Sequence, residues 1–293
     1  MKREDWIKSY QNEKTRKQAQ IVLSAFDKYL DANLMQEQVL LKEMKLGEDS
    51  LKYHELQRII NFWKEGGISG KSIKNYWNFL KNWFWFNEVK MIKEDLKAYV
   101  KFPRELKDMK EPLEIETINK LIEKSNEVFI TLWLVLASSG MRIEEALSFK
   151  SSAIQWGDST HPTKILLSPK ITKYSQGREV FISKQASQYL MKNLNAYLKL
   201  NVADCETYMS RLRRRTKLLD KYSNEKNYKV HIHAFKSFFI TAAALVHDEK
   251  YSHALGGHSK YLPEYYRIPK EKREEMYKEF EDKVTFQIEK PLP

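Results

Sequence analysis

"LVLASSGMRIEEALSFK", residues 134–150, is the stretch on which the reading of this chain turns. An apolar run closes in Ser138, Ser139 and Gly140, and a new helix begins that carries Arg142 in its first turn. A cation there meets the positive end of the helix dipole, so something anionic has to compensate. Within the chain the candidates are Glu144 and Glu145, near enough for a local salt bridge. Outside it, the candidate is an anionic ligand.

Composition widens the case for a ligand. Across 293 residues, 51 Lys and Arg stand against 39 Asp and Glu, a formal net charge of +12, and aromatic residues make up 13%. Such an excess suits a polyanion, because neutralised phosphates release counterions. Nucleic acid leads, an acidic membrane surface follows, and a basic solvated surface with no such partner is the plain alternative. The single cysteine, Cys205, excludes an intrachain disulfide and a CxxC metal knuckle. The longest apolar stretch, "VFITLWLVLA" (128–137), is too short to span a bilayer, and "MKREDWIKSYQNEKTRKQ" (1–18) lacks the apolar run of a signal peptide. A soluble, cytoplasmic protein without membrane contact is expected. Only 9 Gly and 8 Pro in the whole chain predict a mostly helical fold.

Helical periodicity dominates the first third. "TRKQAQIVLSAFDKYL" (15–30) has Thr15 as an available N-cap, and "SLKYHELQRIINFWKEGG" (50–67) runs from Ser50 to the Gly66-Gly67 stop. "SGKSIKNYWNFLKNWFWFN" (69–87) starts near Ser69 and gathers Ile73, Tyr76, Trp77, Leu80, Trp83 and Phe84 on one face, which reads as core. Lys71 and Lys74 at its start read either as a solvated face or as a phosphate seat beside free backbone N–H groups. A charged run at 101–112, with Pro103 and Pro112, reads as a linker between a helical unit, 1–110, and a second unit, 111–293. The convincing strand signals are "KILLSP" (164–169) and "REVFIS" (178–183), a β-hairpin whose basic tip is "KITKYSQG" (170–177). "RLRRRTKLLDKY" (211–222) is a basic segment of helical type, in which Arg211, Arg213, Arg214 and Arg215 suit backbone phosphates or a solvated face equally. "KEKREEMYKEFEDKV" (270–284) reads as an amphipathic helix of mixed charge.

Three segments together resemble the boxes of the tyrosine recombinases, the site-specific integrase family. "ASSGMRIEEALSF" resembles the arginine box, "HIHAFKSFFITAAA" (231–244) the His-x-x-Arg box, and "HALGGHSKYLPEYYRI" (253–268) the Leu-Gly-His box followed by the tyrosine nucleophile. They stand in the family's order with the basic hairpin between the first two, and the short C-terminal pattern looks most like archaeal and archaeal-virus members. The resemblance implies a mainly helical two-domain clamp on duplex DNA, with a helical DNA-binding domain at 1–110 and a catalytic domain with a small β-hairpin at 111–293. It implies strand cleavage through a 3′-phosphotyrosine and rejoining by a 5′-hydroxyl, with neither metal nor ATP, by a protein that assembles as a tetramer on paired, specific DNA sites.

Carried over residue by residue, Arg142 matches the first family arginine, whose planar fork suits two phosphate oxygens. Lys173, five residues before Arg178, matches the hairpin lysine that protonates the leaving 5′ oxygen; Lys170 is the alternative. His233 matches the histidine of His-x-x-Arg, while His231 has no counterpart and reads as structural. Lys236 departs from the pattern: it stands where the family has its second arginine, keeping the charge and losing the fork. His258 matches the histidine of the third box, here after a doubled glycine. The loop to the tyrosine is shortened, which leaves Tyr266 as the chosen nucleophile, Tyr265 as its rival, and Tyr261 and Tyr277 as remote candidates. Attack on a phosphodiester concentrates charge on the non-bridging oxygens, so fixed cations lower the barrier. A phenol titrating near 10 needs positive neighbours to act as a nucleophile. The departures at Lys236 and in the tyrosine loop also fit a weak or inactive DNA-binding relative, and a helical RNA-binding or scaffold protein is the reading in which the boxes arise by chance.

Overall fold

The structure is a computed structural model that describes residues 2–47, 49–104, 111–173, 175–222 and 227–288. By contact density the chain divides into two compact units, Met1–Lys107 and Asp108–Pro293. Half of the expected linker, residues 105–110, lies outside the described residues.

The first unit is helical throughout. Its main helices are Glu13–Ala32, Glu37–Leu46, Asp49–Glu65 and Gly70–Phe86. They close on a core in which Phe26, Tyr29, Trp63, Trp83 and Phe84 are almost wholly buried. The aromatic face of 69–87 is therefore core, as its spacing predicts, and Ser69 caps its helix by accepting from the Ser72 N–H. Two starts differ from expectation. Asn12, not Thr15, caps the first long helix, accepting from Lys14 and Thr15 N–H, because an amide oxygen at the preceding turn reaches two orphan donors at once. The helix expected to start at Ser50 begins at Asp49, which places Ser50 inside it.

The second unit is built around the helix Glu127–Ser139, buried on nearly every side. A helix apolar all round must be enclosed, and here Lys184–Tyr197, Ala234–Ala244 and a small sheet pack against it. The sheet is antiparallel with order β1-β2-β3: β1 is Ile154–Gln155, β2 is Thr163–Leu167 and β3 is Arg178–Ile182. The expected hairpin is thus widened by one short strand, which two residues of β-type pairing after a turn of helix at Ser151–Ala153 could not reveal. Helices Ile115–Glu123, Val202–Thr216, Glu249–Leu255 and Lys270–Lys278 complete the layer around the core. Among the described residues no helix is long and apolar enough to cross a membrane. The architecture is mainly helical with one small sheet, as the sequence leads one to expect.

Candidate functional site

The core helix ends where the opening stretch says it should. Ser138 and Ser139 bond back to Leu134 and Val135 carbonyls, and Gly140 closes the helix in the left-handed region at φ 61°. A Cβ on Gly140 would fall 2.3 Å from the Phe239 ring, so both backbone sign and space demand glycine. The turn delivers Arg142 to the N-cap of the helix Ile143–Ser148. Its compensating anion is Glu145: the Arg142 backbone N–H donates to Oε2 at 2.9 Å and Nη1 to Oε1 at 3.2 Å.

Glu145 does not belong to Arg142 alone. Arg178, the first residue of β3, donates from Nη2 to Glu145 Oε2 at 2.8 Å, and from Nη1 to the Leu255 carbonyl at 2.9 Å. The Arg178 and Glu145 side chains are 3% and 2% exposed, so the pair is a buried one. Burial opposes ionisation of Glu145, but Arg178, the Arg142 N–H and Lys236 outweigh it and hold the carboxyl below its usual range. A shallow cleft is lined by Arg142, Thr172, Lys173, Gln176, Arg178 and Gly257. Two of the residues singled out from the sequence, Arg142 and Lys173, therefore share one surface, with Lys173 exposed at the loop between β2 and β3.

Lys236 lies close by but out of the cleft lining. It is 3% exposed, and its ammonium donates to the Gly140 carbonyl at 3.1 Å and to the Gly256 carbonyl. Burial, with Arg178 and Arg142 adding repulsion, pulls its pKa down to about 6. His233 is exposed and heads the same helix one turn earlier. His231 packs with its ring centroid 6.4 Å from that of His233.

His258 follows Gly257, which holds φ 73°, and its Nδ1 lies 2.7 Å from that of His253. Burial, then the charges of Lys236, His253, Arg142 and Arg178, pull His258 down to about 4. Its imidazole is neutral near pH 7, a donor and acceptor rather than a cation.

The two rival tyrosines part company. Tyr265 is 3% exposed, its hydroxyl buried without a hydrogen-bond partner among the described residues, and burial pushes its phenol far up. Tyr266 is 39% exposed, and its hydroxyl accepts from the Glu179 backbone N–H at 3.0 Å, one residue along from Arg178. Burial raises its pKa as well, while the Glu179 N–H, Arg273 and Arg178 pull the other way. The Arg273 guanidinium sits 5.0 Å from the Tyr266 ring centroid and 2.7 Å from Glu179 Oε1, so it braces ring and strand together. Tyr261 is half-buried, and Tyr277 is wholly buried with its hydroxyl on the Ser138 carbonyl.

The remaining basic residues sit elsewhere. In the first unit, Lys71 and Lys74 are exposed and line a polar groove with Gln18, Asn75 and Asn78. In the second, Arg213 is half-buried, stacks 4.2 Å over the Tyr228 ring and donates to the Val230 carbonyl at 3.1 Å. Arg211, Arg214 and Arg215 are exposed, and Arg215 lies 5.5 Å from the Tyr208 ring centroid. The helix stops at Thr216, with Lys217 in the left-handed region. The sequence reading passed over Arg178, Glu179 and Arg273 as site residues. The available signal was an arginine and a glutamate opening the otherwise apolar strand "REVFI".

No protein-family model matches the chain, and no curated protein does. Solved structures do. A Tn1549 transposon integrase in complex with transposon right end DNA is similar over 86% of this chain and 96% of its own, at 16% identity and a TM-score of 0.57. The XerH site-specific recombinase bound to its difH substrate is similar over 76% and 69%, at 19% identity and a TM-score of 0.51. At such identities the likeness is one of architecture: this chain has the mostly helical fold, with a small antiparallel sheet, of the tyrosine recombinases and integrases.

Proposed function

We propose that the protein is a site-specific DNA recombinase that cleaves and rejoins strands through a 3′-phosphotyrosine. The observation that carries this reading is the meeting of Arg142 and Lys173 on one cleft whose wall, Arg178, adjoins the residue that holds the Tyr266 hydroxyl. In the proposed step the Tyr266 Oη attacks phosphorus and loses its proton to solvent. The P–O5′ bond breaks, and Lys173 gives the leaving oxygen its proton. Arg142 neutralises charge on the non-bridging oxygens, and the neutral His258 and the exposed His233 serve as hydrogen-bond partners of the same phosphate. The reverse reaction, with a 5′-hydroxyl as nucleophile, restores the phosphodiester, so the linkage energy is kept throughout.

The net charge of +12 supports a duplex DNA partner. Residues 1–110 are proposed as a DNA-binding unit in which Lys71 and Lys74 meet phosphates, and 111–293 as the catalytic unit in which Arg211, Arg214 and Arg215 do so; the assembly on paired sites is a tetramer. Tyr266 is preferred to Tyr265 because only the former is exposed. A pool of random-sequence nicked duplexes, which trap a covalent intermediate when the short strand diffuses away, tests the proposal. Tyr266→Phe abolishes the detergent-stable adduct and Tyr265→Phe keeps it; a wild-type protein that binds the pool without forming an adduct refutes it. That second outcome is the one expected of a non-cleaving DNA-binding protein, a reading favoured by the burial of Lys236 where a phosphate ligand is looked for.

A further inference from the structure

Two guanidinium groups share one carboxylate at the base of the cleft. Glu145 receives Arg142 on Oε1 and Arg178 on Oε2, so one carboxylate holds both forks side by side. Both arginines line the cleft together with Lys173. A guanidinium carries five N–H donors. Among the described residues Arg178 uses one on Glu145 and one on the Leu255 carbonyl, which leaves donors for a further acceptor. Its position is fixed by shape as well, because a Cβ on Gly257 would fall 2.3 Å from Cζ.

Lys236 is disposed otherwise. Its ammonium is spent on the Gly140 and Gly256 carbonyls, one in the turn that delivers Arg142 and the other in the turn that delivers His258. It takes no part in the cleft lining.

We propose that Arg178 is the second cation that grips the scissile phosphate, acting beside Arg142 across Glu145, while Lys236 is a positioning residue that ties the two turns together. The inference rests on the recombinase reading above and assigns its phosphate ligands. A non-bridging oxygen pair entering the cleft receives N–H groups from both forks, and their positive charge offsets the charge that gathers on it.

Uncharged DNA separates the roles. A duplex recovered from the nicked pool is made with a methylphosphonate at the scissile position, where no anionic oxygen needs a cation. Adduct formation is compared on both substrates for wild type, Arg142→Ala, Arg178→Ala and Lys236→Met. Arg178→Ala is expected to lose about 100-fold on the phosphodiester and to return to within about tenfold of wild type on the methylphosphonate, as Arg142→Ala does. Lys236→Met loses adduct in step with its folded fraction, read by circular dichroism, and gains nothing from the methylphosphonate. Should Arg178→Ala not fold, Arg178→Lys keeps the charge without the fork, and its defect is expected on the phosphodiester alone. Recovery of Arg142→Ala without recovery of either Arg178 variant makes Arg178 structural and overturns the proposal. Recovery of Lys236→Met overturns it too, by making Lys236 the phosphate ligand. A wild type that forms no adduct on either substrate sinks the recombinase reading itself, which the controls keep distinct.

Discussion

Gly257→Ala is the substitution that the geometry speaks to most directly. The glycine holds φ 73°, a conformation that costs an L-residue about 1–2 kcal/mol. The added Cβ would lie 2.3 Å from Arg178 Cζ and 2.6 Å from Nε, so the guanidinium has to retreat by roughly 1 Å to reach ordinary contact. A retreat of that size takes the 2.8 Å bond to Glu145 out of hydrogen-bonding range. Breaking a buried ion pair costs about 3–5 kcal/mol, and Arg142, which stays on Glu145, offsets part of it. The expected total is therefore about 3–5 kcal/mol. The neighbouring Gly256 provides the contrast: its φ is −66°, and its Cβ would press on Cγ1 and Cδ1 of Ile240 at 2.7 Å while standing at ordinary contact, 3.5 Å, from the His253 carbonyl, a displacement worth about 1 kcal/mol. Hydrogen exchange of the amides in Glu127–Ser139, the core of the second unit, reads that unit's stability in the intact chain. Replacing Arg178 by Ala in the Gly257→Ala background removes the clashing guanidinium and leaves the φ cost, so the pair is expected to couple by at least about 1 kcal/mol. Equal losses for the two glycine variants, or additivity with Arg178→Ala, would refute the reasoning.

Three further outcomes are expected. Tyr265→Phe removes a buried hydroxyl that has no partner among the described residues, so stability holds or rises by up to about 1 kcal/mol; a loss above 2 kcal/mol on urea unfolding would show that the hydroxyl is satisfied in solution. Lys236 has its pKa lowered to about 6, so between pH 6 and its unfolded value the unfolded chain holds the extra proton and stability rises with pH. Among the groups facing it, the Glu145 carboxyl is held below its usual range and His258 is pulled down to about 4, so above pH 7.5 Lys236 dominates the local titration. The difference in unfolding free energy between wild type and Lys236→Met should change by up to about 1.4 kcal/mol per pH unit from 7.5 to 9.5, and parallel pH curves would disprove it. Arg211→Gln with Arg214→Gln should weaken duplex binding and reduce the slope of log K against log salt by about 2, whereas Arg213→Gln, which loses its Tyr228 stack and Val230 bond, should lower stability instead; an unchanged slope for the double variant would refute phosphate contact by this helix.

How far the sequence leads depends on how local the cause is. The long helices declare themselves through apolar periodicity, and the turn at Gly140 through a glycine that no other residue can replace. The partnership of Arg142 with Glu145 is three residues long and could be named in advance. The role of Arg178 could not, because its partners stand 33 and 77 residues away and only the docking of β3 against two loops brings them in. The contacts of Lys236 are long-range for a related reason: its spacing from His233 predicts a cation at a phosphate, and its Nζ donates to two carbonyl groups from distant turns. Burial separated Tyr265 from Tyr266, which adjacent identical letters could not do.

Arg178 touches the chain at Glu145 and again at the Leu255 carbonyl, with Gly257 pressed against its guanidinium. On the ribosome, then, the β2–β3 loop and the arginine turn emerge long before the segment that completes them. Until Leu255 and Gly257 arrive, the guanidinium stays hydrated beside its carboxylate and no cleft exists. The cleft is therefore completed only once the later segment of the second unit has been made.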